Sequence, residues 1–148
     1  MKRTTLTSVY AILLVTWTLF AYNTLVINGQ SATDATMIGS AHLTHAVLAD
    51  GTPLAAGTYQ IRLTDDQPTA AVGESPGAER WVEFVKDGKV AGREVATVIS
   101  AGDISAIVKD PQPKANTSRV DVLKGGDYVR VWVNKDGNHY IVNMPLAG

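Results

Sequence analysis

The side chains in this chain that could do chemistry are few and scattered. His42 and His45, in HLTH, have the separation of a metal pair on a helix, where residues i and i+3 share a face. On a strand the same spacing points them to opposite faces, and the surrounding residues read as strand. His139 is the remaining histidine, so no histidine metal centre is expected. Asp65, Asp66, Glu74 and Glu79 gather in and beside DDQPTAAVGESPGAER. They lack the ligand spacing of a calcium loop and read as solvated acids. Ser75, in GESPG, lacks the strand-to-helix elbow that raises a nucleophile. LKGGDY has neither the Lys-Ser/Thr tail nor the following helix of a phosphate loop. Neither cofactor nor metal is expected. Paired-carboxylate hydrolysis is the one catalytic reading left, since its spacing exists only in three dimensions.

The best binding surface in the sequence is aromatic. In DYVRVWV, Val129, Val131 and Val133 alternate with Tyr128, Arg130 and Trp132. With the valines on the core face, the second set faces away. His139 and Ile141 join it from the partner strand. A Tyr-Arg-Trp row is suited to stacking on a sugar ring or a peptide. The competing reading covers this face with the rest of the domain or with a long loop, and burial is the commoner fate of Trp. Trp81 reads as core.

These residues need strands to position them, and the sequence supplies strand signals at regular intervals. HLTHAVLADG reads as a strand ending at Asp50-Gly51. TYQIRLT alternates strictly, with Tyr59, Ile61 and Leu63 on one face. RWVEFVKDGKVAGREVATVIS reads as a hairpin around Asp87-Gly88. ISAIVKD and SRVDVLK read as short strands. DYVRVWVNKDGNHYIVNM reads as a last hairpin around Asp136-Gly137. A two-residue primed turn sets Val85 opposite Val90, then Val133 opposite Tyr140, Val131 opposite Val142 and Val129 opposite Met144. That register puts six apolar residues on one face, and a one-residue slip would ruin it, so the register is well specified. No helical pattern follows residue 30. Short strands at this spacing predict an all-β domain.

A six-residue pattern occurs twice. Leu54, Gly57 and Tyr59 in LAAGTY match Leu123, Gly126 and Tyr128 in LKGGDY. The spacing resembles the tyrosine corner of secreted bacterial immunoglobulin-like and transthyretin-like β-sandwich modules. There a Tyr at a strand start sends its hydroxyl back to the backbone a few residues upstream. Ala56 and Gly125 stand where that family often has Pro. The resemblance implies a Greek-key β-sandwich of about seven to eight strands, with Tyr59 and Tyr128 each pinning a crossover. Modules of this kind bind, brace or assemble.

The N-terminus has its own chemistry. Lys2 and Arg3 precede an apolar run from Val9 to Ala21 that continues less purely to Ile27. Residues 1–32 read either as a signal peptide or, through a hydrophobic helix over 9–27, as an uncleaved anchor. Both place the rest of the chain across the membrane, periplasmic or extracellular. A linker is expected over 33–38 and the β-domain over 39–148. The absence of cysteine excludes disulfides and thiolate chemistry. The 13 basic residues are matched by 14 acidic ones and are not clustered beyond the leader, which argues against nucleic acid. The expected function is therefore non-enzymatic, an exported module that contacts a protein, a cell-envelope component or a glycan. A carbohydrate-binding module using the Tyr128/Trp132 face is the alternative, and a small hydrolase the third reading.

Overall fold

Nine strands and one helical turn follow in chain order among the described residues, which are 35–70, 72–73, 75 and 77–148 of a computed structural model. They are β1 (Thr36–Leu43), β2 (Val47–Ala49), β3 (Thr52–Leu54), β4 (Gly57–Leu63), β5 (Glu79–Lys86), β6 (Lys89–Ser100), α1 (Ile104–Ile107), β7 (Thr117–Val122), β8 (Tyr128–Lys135) and β9 (Asn138–Pro145). The expected signal or anchor helix over 9–27 lies outside the described residues. No helix among the described residues is long and apolar enough to cross a membrane.

Three Asp-Gly pairs set the framework. Asp50-Gly51, Asp87-Gly88 and Asp136-Gly137 take φ values of 45° and 75°, 51° and 74°, and 51° and 79°. Positive φ at both central positions defines the primed hairpin turn, whose twist matches that of the flanking strands. These turns join β2 to β3, β5 to β6 and β8 to β9. The register that follows is the predicted one. Val85 pairs with Val90, and Val129, Val131 and Val133 pair with Met144, Val142 and Tyr140. All six residues of the second set are buried.

Seven strands form one antiparallel sheet in the order β1-β4-β5-β6-β9-β8-β7. Strands β7, β8 and β9 are consecutive and β6 returns beside β9, which is a Greek key. The all-β class and the Greek key are as expected. The arrangement in two layers is different: hydrogen bonding runs unbroken from β1 to β7, and the sheet curls until it nearly closes into a barrel. Strand twist, accumulated over seven strands, brings opposite parts of one apolar face together and lets a single sheet enclose its own core. Leu43, Ile61, Val82, Phe84, Val131 and Met144 fill that interior. The β2–β3 hairpin packs into it through Val47, Ala49 and Leu54. Gly92 makes room for this hairpin, since a Cβ there would lie 3.0 Å from Leu54 Cδ2.

Three local expectations need correction. The linker ends earlier than 38, because β1 begins at Thr36 and a bulge between Met37 and Gly39 turns Ile38 into the core. ISAIVKD forms α1 and an extended tail, not a strand. Ile104 and Val108 are four apart, and helical spacing puts both on the barrel wall. The second tyrosine corner is absent. Tyr59 makes its corner, donating from its hydroxyl to Ala55 O at 2.8 Å, with its ring edge-on to Phe84 at 6.3 Å. Tyr128 is 48% exposed and its hydroxyl has no partner among the described residues. Leu123–Tyr128 closes a hairpin between β7 and β8, with Leu123 N–H donating to Tyr128 O at 2.8 Å. The two motifs differ because one carries the chain out of a buried hairpin at Leu54, whereas the other joins adjacent strands at the rim.

Tyr59→Phe is expected to lower unfolding free energy by about 1 kcal/mol through loss of the corner hydrogen bond, while Tyr128→Phe stays within about 0.5 kcal/mol of the parent. Urea denaturation of the two variants side by side checks this.

Candidate functional site

Alternation along β8 and β9 decides what the outer wall of the barrel carries. With Val129, Val131 and Val133 inside, Arg130 and Trp132 must stand outside, as must His139 and Ile141 on β9. The structure does bring these four expected residues together. It does not leave them open. Residues 101–116, connecting β6 to β7, cross the outer face as a strap. Both ends of the strap leave the sheet at one end, since Ser100 pairs with Asn138 and Thr117 with Asn134. Ile104 and Val108 of the strap pack with Ile99, Trp132 and Ile141 into a second apolar cluster outside the barrel. Trp132 is 0% exposed and His139 is 2% exposed. Tyr128, at the start of the same row, stays outside the strap. The row expected to stack on a sugar is therefore covered by the chain itself, and a glycan-binding role for it would require the strap to lift.

Polar ties fix the strap in place. Arg130 Nη2 donates to Asp110 Oδ2 at 2.8 Å, and its second contact is Asp121 Oδ2 at 3.4 Å. Arg119 Nη1 donates to Pro111 O at 2.9 Å, and Asn134 Nδ2 to Pro113 O at 3.0 Å. Arg130 also lies over the Trp132 ring, 5.3 Å from its centroid. Asp110 is 56% exposed, so its ion pair contributes at most about 1 kcal/mol. Burying Ile104 contributes roughly 2–3 kcal/mol. Apolar packing on Trp132 is what holds the strap, and the arginines set its position.

Under the strap one polar contact is sealed. Trp132 Nε1 donates to His139 Nδ1 at 2.9 Å. The Nδ1 lone pair must be free for this, so the ring proton sits on Nε2. Burial pushes the His139 imidazole below its ordinary value, keeping it neutral.

A second surface lies where the sheet fails to close. β1 and β7 are the two end strands, and no ladder joins them. Ser118 Oγ donates to Ser40 O across the seam. Gly39 closes the interior behind it, since a Cβ there would lie 3.1 Å from Val133 Cγ1. Outside, Met37, Gly39, Ser40, Gln60, Asn116, Thr117 and Ser118 line an open groove of about 530 Å³. Its walls carry hydroxyl and amide groups and no charged side chain.

Trp81 is half-buried on the outer wall and outside both apolar clusters, contrary to its reading as core. Arg93 stacks on it, with Cζ 4.2 Å from the ring centroid. A bulge in β6 produces this contact. Val85 pairs with Val90 but Phe84 pairs with Gly92, so Arg93 faces Glu83 on the outer wall. Without the extra residue Arg93 would point into the core. Glu83 also accepts from Arg62 Nη2 at 3.2 Å, completing an Arg-Glu-Arg row.

His42 Nδ1 shares a hydrogen bond with Thr58 Oγ1 at 3.0 Å, and His45 Nδ1 with Thr44 Oγ1 at 2.9 Å. Among the described residues no group of three or more His, Cys, Asp or Glu side chains is placed to hold a metal ion.

The strap and the seam are what sequence reading misses. The strap had a signal in DISAIVKD, where Ile104, Ile107 and Val108 have helical spacing. The seam had none, because two strands that are far apart in sequence meet there only by curvature. Comparisons with protein-family models, with curated proteins and with solved structures give no match to this chain.

Ile104→Ala is expected to destabilise the protein by roughly 2–4 kcal/mol. In hydrogen exchange followed by mass spectrometry, residues 101–116 should lose protection before β8 and β9 do.

Proposed function

We propose that the chain is an exported, non-enzymatic β-domain that works by contact, as a binding or cell-envelope interaction module. The observation that carries this reading is the unclosed seam. End strands present N–H and C=O groups with no ladder partner, and such edges take up extended polypeptide by strand addition. In an antiparallel strand the N–H and C=O of one residue point the same way. Ser40 O accepts from Ser118 across the seam, so the Ser40 N–H also points there. The groove beside it is open, and its uncharged walls, which mix hydroxyl and amide groups with Met37, suit an extended segment of neutral residues. The leader over residues 1–32 supports a periplasmic or extracellular setting, either released or held by residues 9–27.

Photo-crosslinking in intact cells tests the reading. A benzophenone side chain at Thr117, in the groove, should give a discrete adduct with a protein or with a second copy of the chain. The same group at Lys89, exposed at the start of β6, should give none. Ser40→Pro, which deletes one seam donor while sparing the β1–β4 ladder, should remove the Thr117 adduct without changing the melting temperature. Equal labelling from both positions, or none from Thr117, would rule the seam out.

A further inference from the structure

We propose that the β6–β7 strap is an acid-released cover, with His139 as its trigger and the Trp132–Ile141 wall as the surface it uncovers. Trp132 Nε1 donates to His139 Nδ1, and the two rings meet edge-on at 5.7 Å and 64°. Indole N–H is a donor only. A proton added to His139 must occupy Nδ1, which sets two N–H groups against each other and leaves a charge on a ring that is 2% exposed. An unpartnered buried charge is far more costly than the lost bond.

Among the described residues no ion pair offsets that charge. On β8, Arg130 lies over the Trp132 ring and Lys135 pairs with Asp136. Both cations disfavour a third. On β7, Arg119 pairs with Asp121 at 2.7 Å. The β6 residues beside this face, Thr97–Ser100, carry no ionisable side chain. The strap brings Asp103, which accepts from Ser100 Oγ at 2.7 Å, and Asp110, which accepts from Arg130. Among the described residues no carboxylate bonds to His139. Relief comes from exposing the ring, and the element above it that leaves the sheet ladder intact on moving is the strap.

The sign follows from linkage. Burial holds the closed-state imidazole below the ordinary value of 6.5. Between those two values the closed form stays neutral while an opened ring takes up a proton. Closure is therefore strongest above pH 6.5 and weakens as pH falls towards the closed-state value. Because both strap ends leave the sheet together, residues 101–116 move as one loop while β8 and β9 remain paired. Opening exposes Ile99, Trp132 and Ile141, a wall separate from the β1–β7 seam.

Hydrogen exchange at about pH 7.5 and about pH 5.5, corrected for intrinsic rates, tests this, since ordinary carboxylates stay ionised at both. The wild-type strap should lose protection at the lower pH, by at most about tenfold, while β8 and β9 keep theirs. His139→Gln should show the same strap protection at both. A wild-type strap indifferent to pH, or an equal loss in His139→Gln, would overturn the proposal. If that variant does not fold, NMR titration of the wild-type decides: His139 and the strap amides must share one midpoint, and separate midpoints refute the coupling.

Discussion

The pairing of β8 with β9 is the constraint on which the remaining structure rests. A two-residue turn at Asp136-Gly137 leaves one register in which Val129, Val131 and Val133 lie beside Met144, Val142 and Tyr140. Shifting it by one residue would turn the apolar side chains of one of the two strands outward and draw its polar-face neighbours, Arg130 and Trp132 or His139 and Ile141, into the barrel. The buried interior, the second cluster under the strap and the indole-imidazole hydrogen bond all depend on that choice. So does the placement of Arg130, whose guanidinium meets Asp110 because it stands on the outer wall.

A sheet of seven strands that curls on itself meets a difficulty of parity. Neighbours alternate in direction, so β1 and β7 run the same way and cannot finish the barrel with the ladder used everywhere else. Ser118 bridges the gap by a side chain, and Gly39 lets β1 settle against Val133. The interior is thereby closed while the two edges keep backbone groups free. The unused hydrogen bonds of this barrel follow from its strand count, and they lie beside its open groove.

Much of this was legible in the residues themselves. Period-two alternation and Asp-Gly turns identify the all-β class, the hairpins of β5–β6 and β8–β9, and their register, because these are local properties of neighbouring residues. The corner at Tyr59 was legible for the same reason. Its twin at Tyr128 was misleading: Leu-x-x-Gly-x-Tyr describes a tight turn into a strand, and whether the hydroxyl finds a carbonyl depends on what precedes the turn. Trp81 lies outside because it alternates on β5 with the buried Val82 and Phe84, and a bulge in β6, invisible to alternation, carries Arg93 onto the same wall above it.

The sequence by itself determined most of the strands, though neither α1 in ISAIVKD nor the break between β1 and β2 in HLTHAVLADG, and with them the turns between sequential partners and which face of each strand is apolar. It also determined that Tyr128, Arg130, Trp132, His139 and Ile141 would share a face. Tertiary structure alone decided that one curled sheet would replace two layers, that residues 101–116 would lie across Trp132, and that β1 would meet β7 without pairing. The physical reason is range. Turn dihedrals and side-chain alternation act between residues close in sequence, whereas curvature, closure and the covering of a wall arise from twist and packing summed over strands that are distant along the chain.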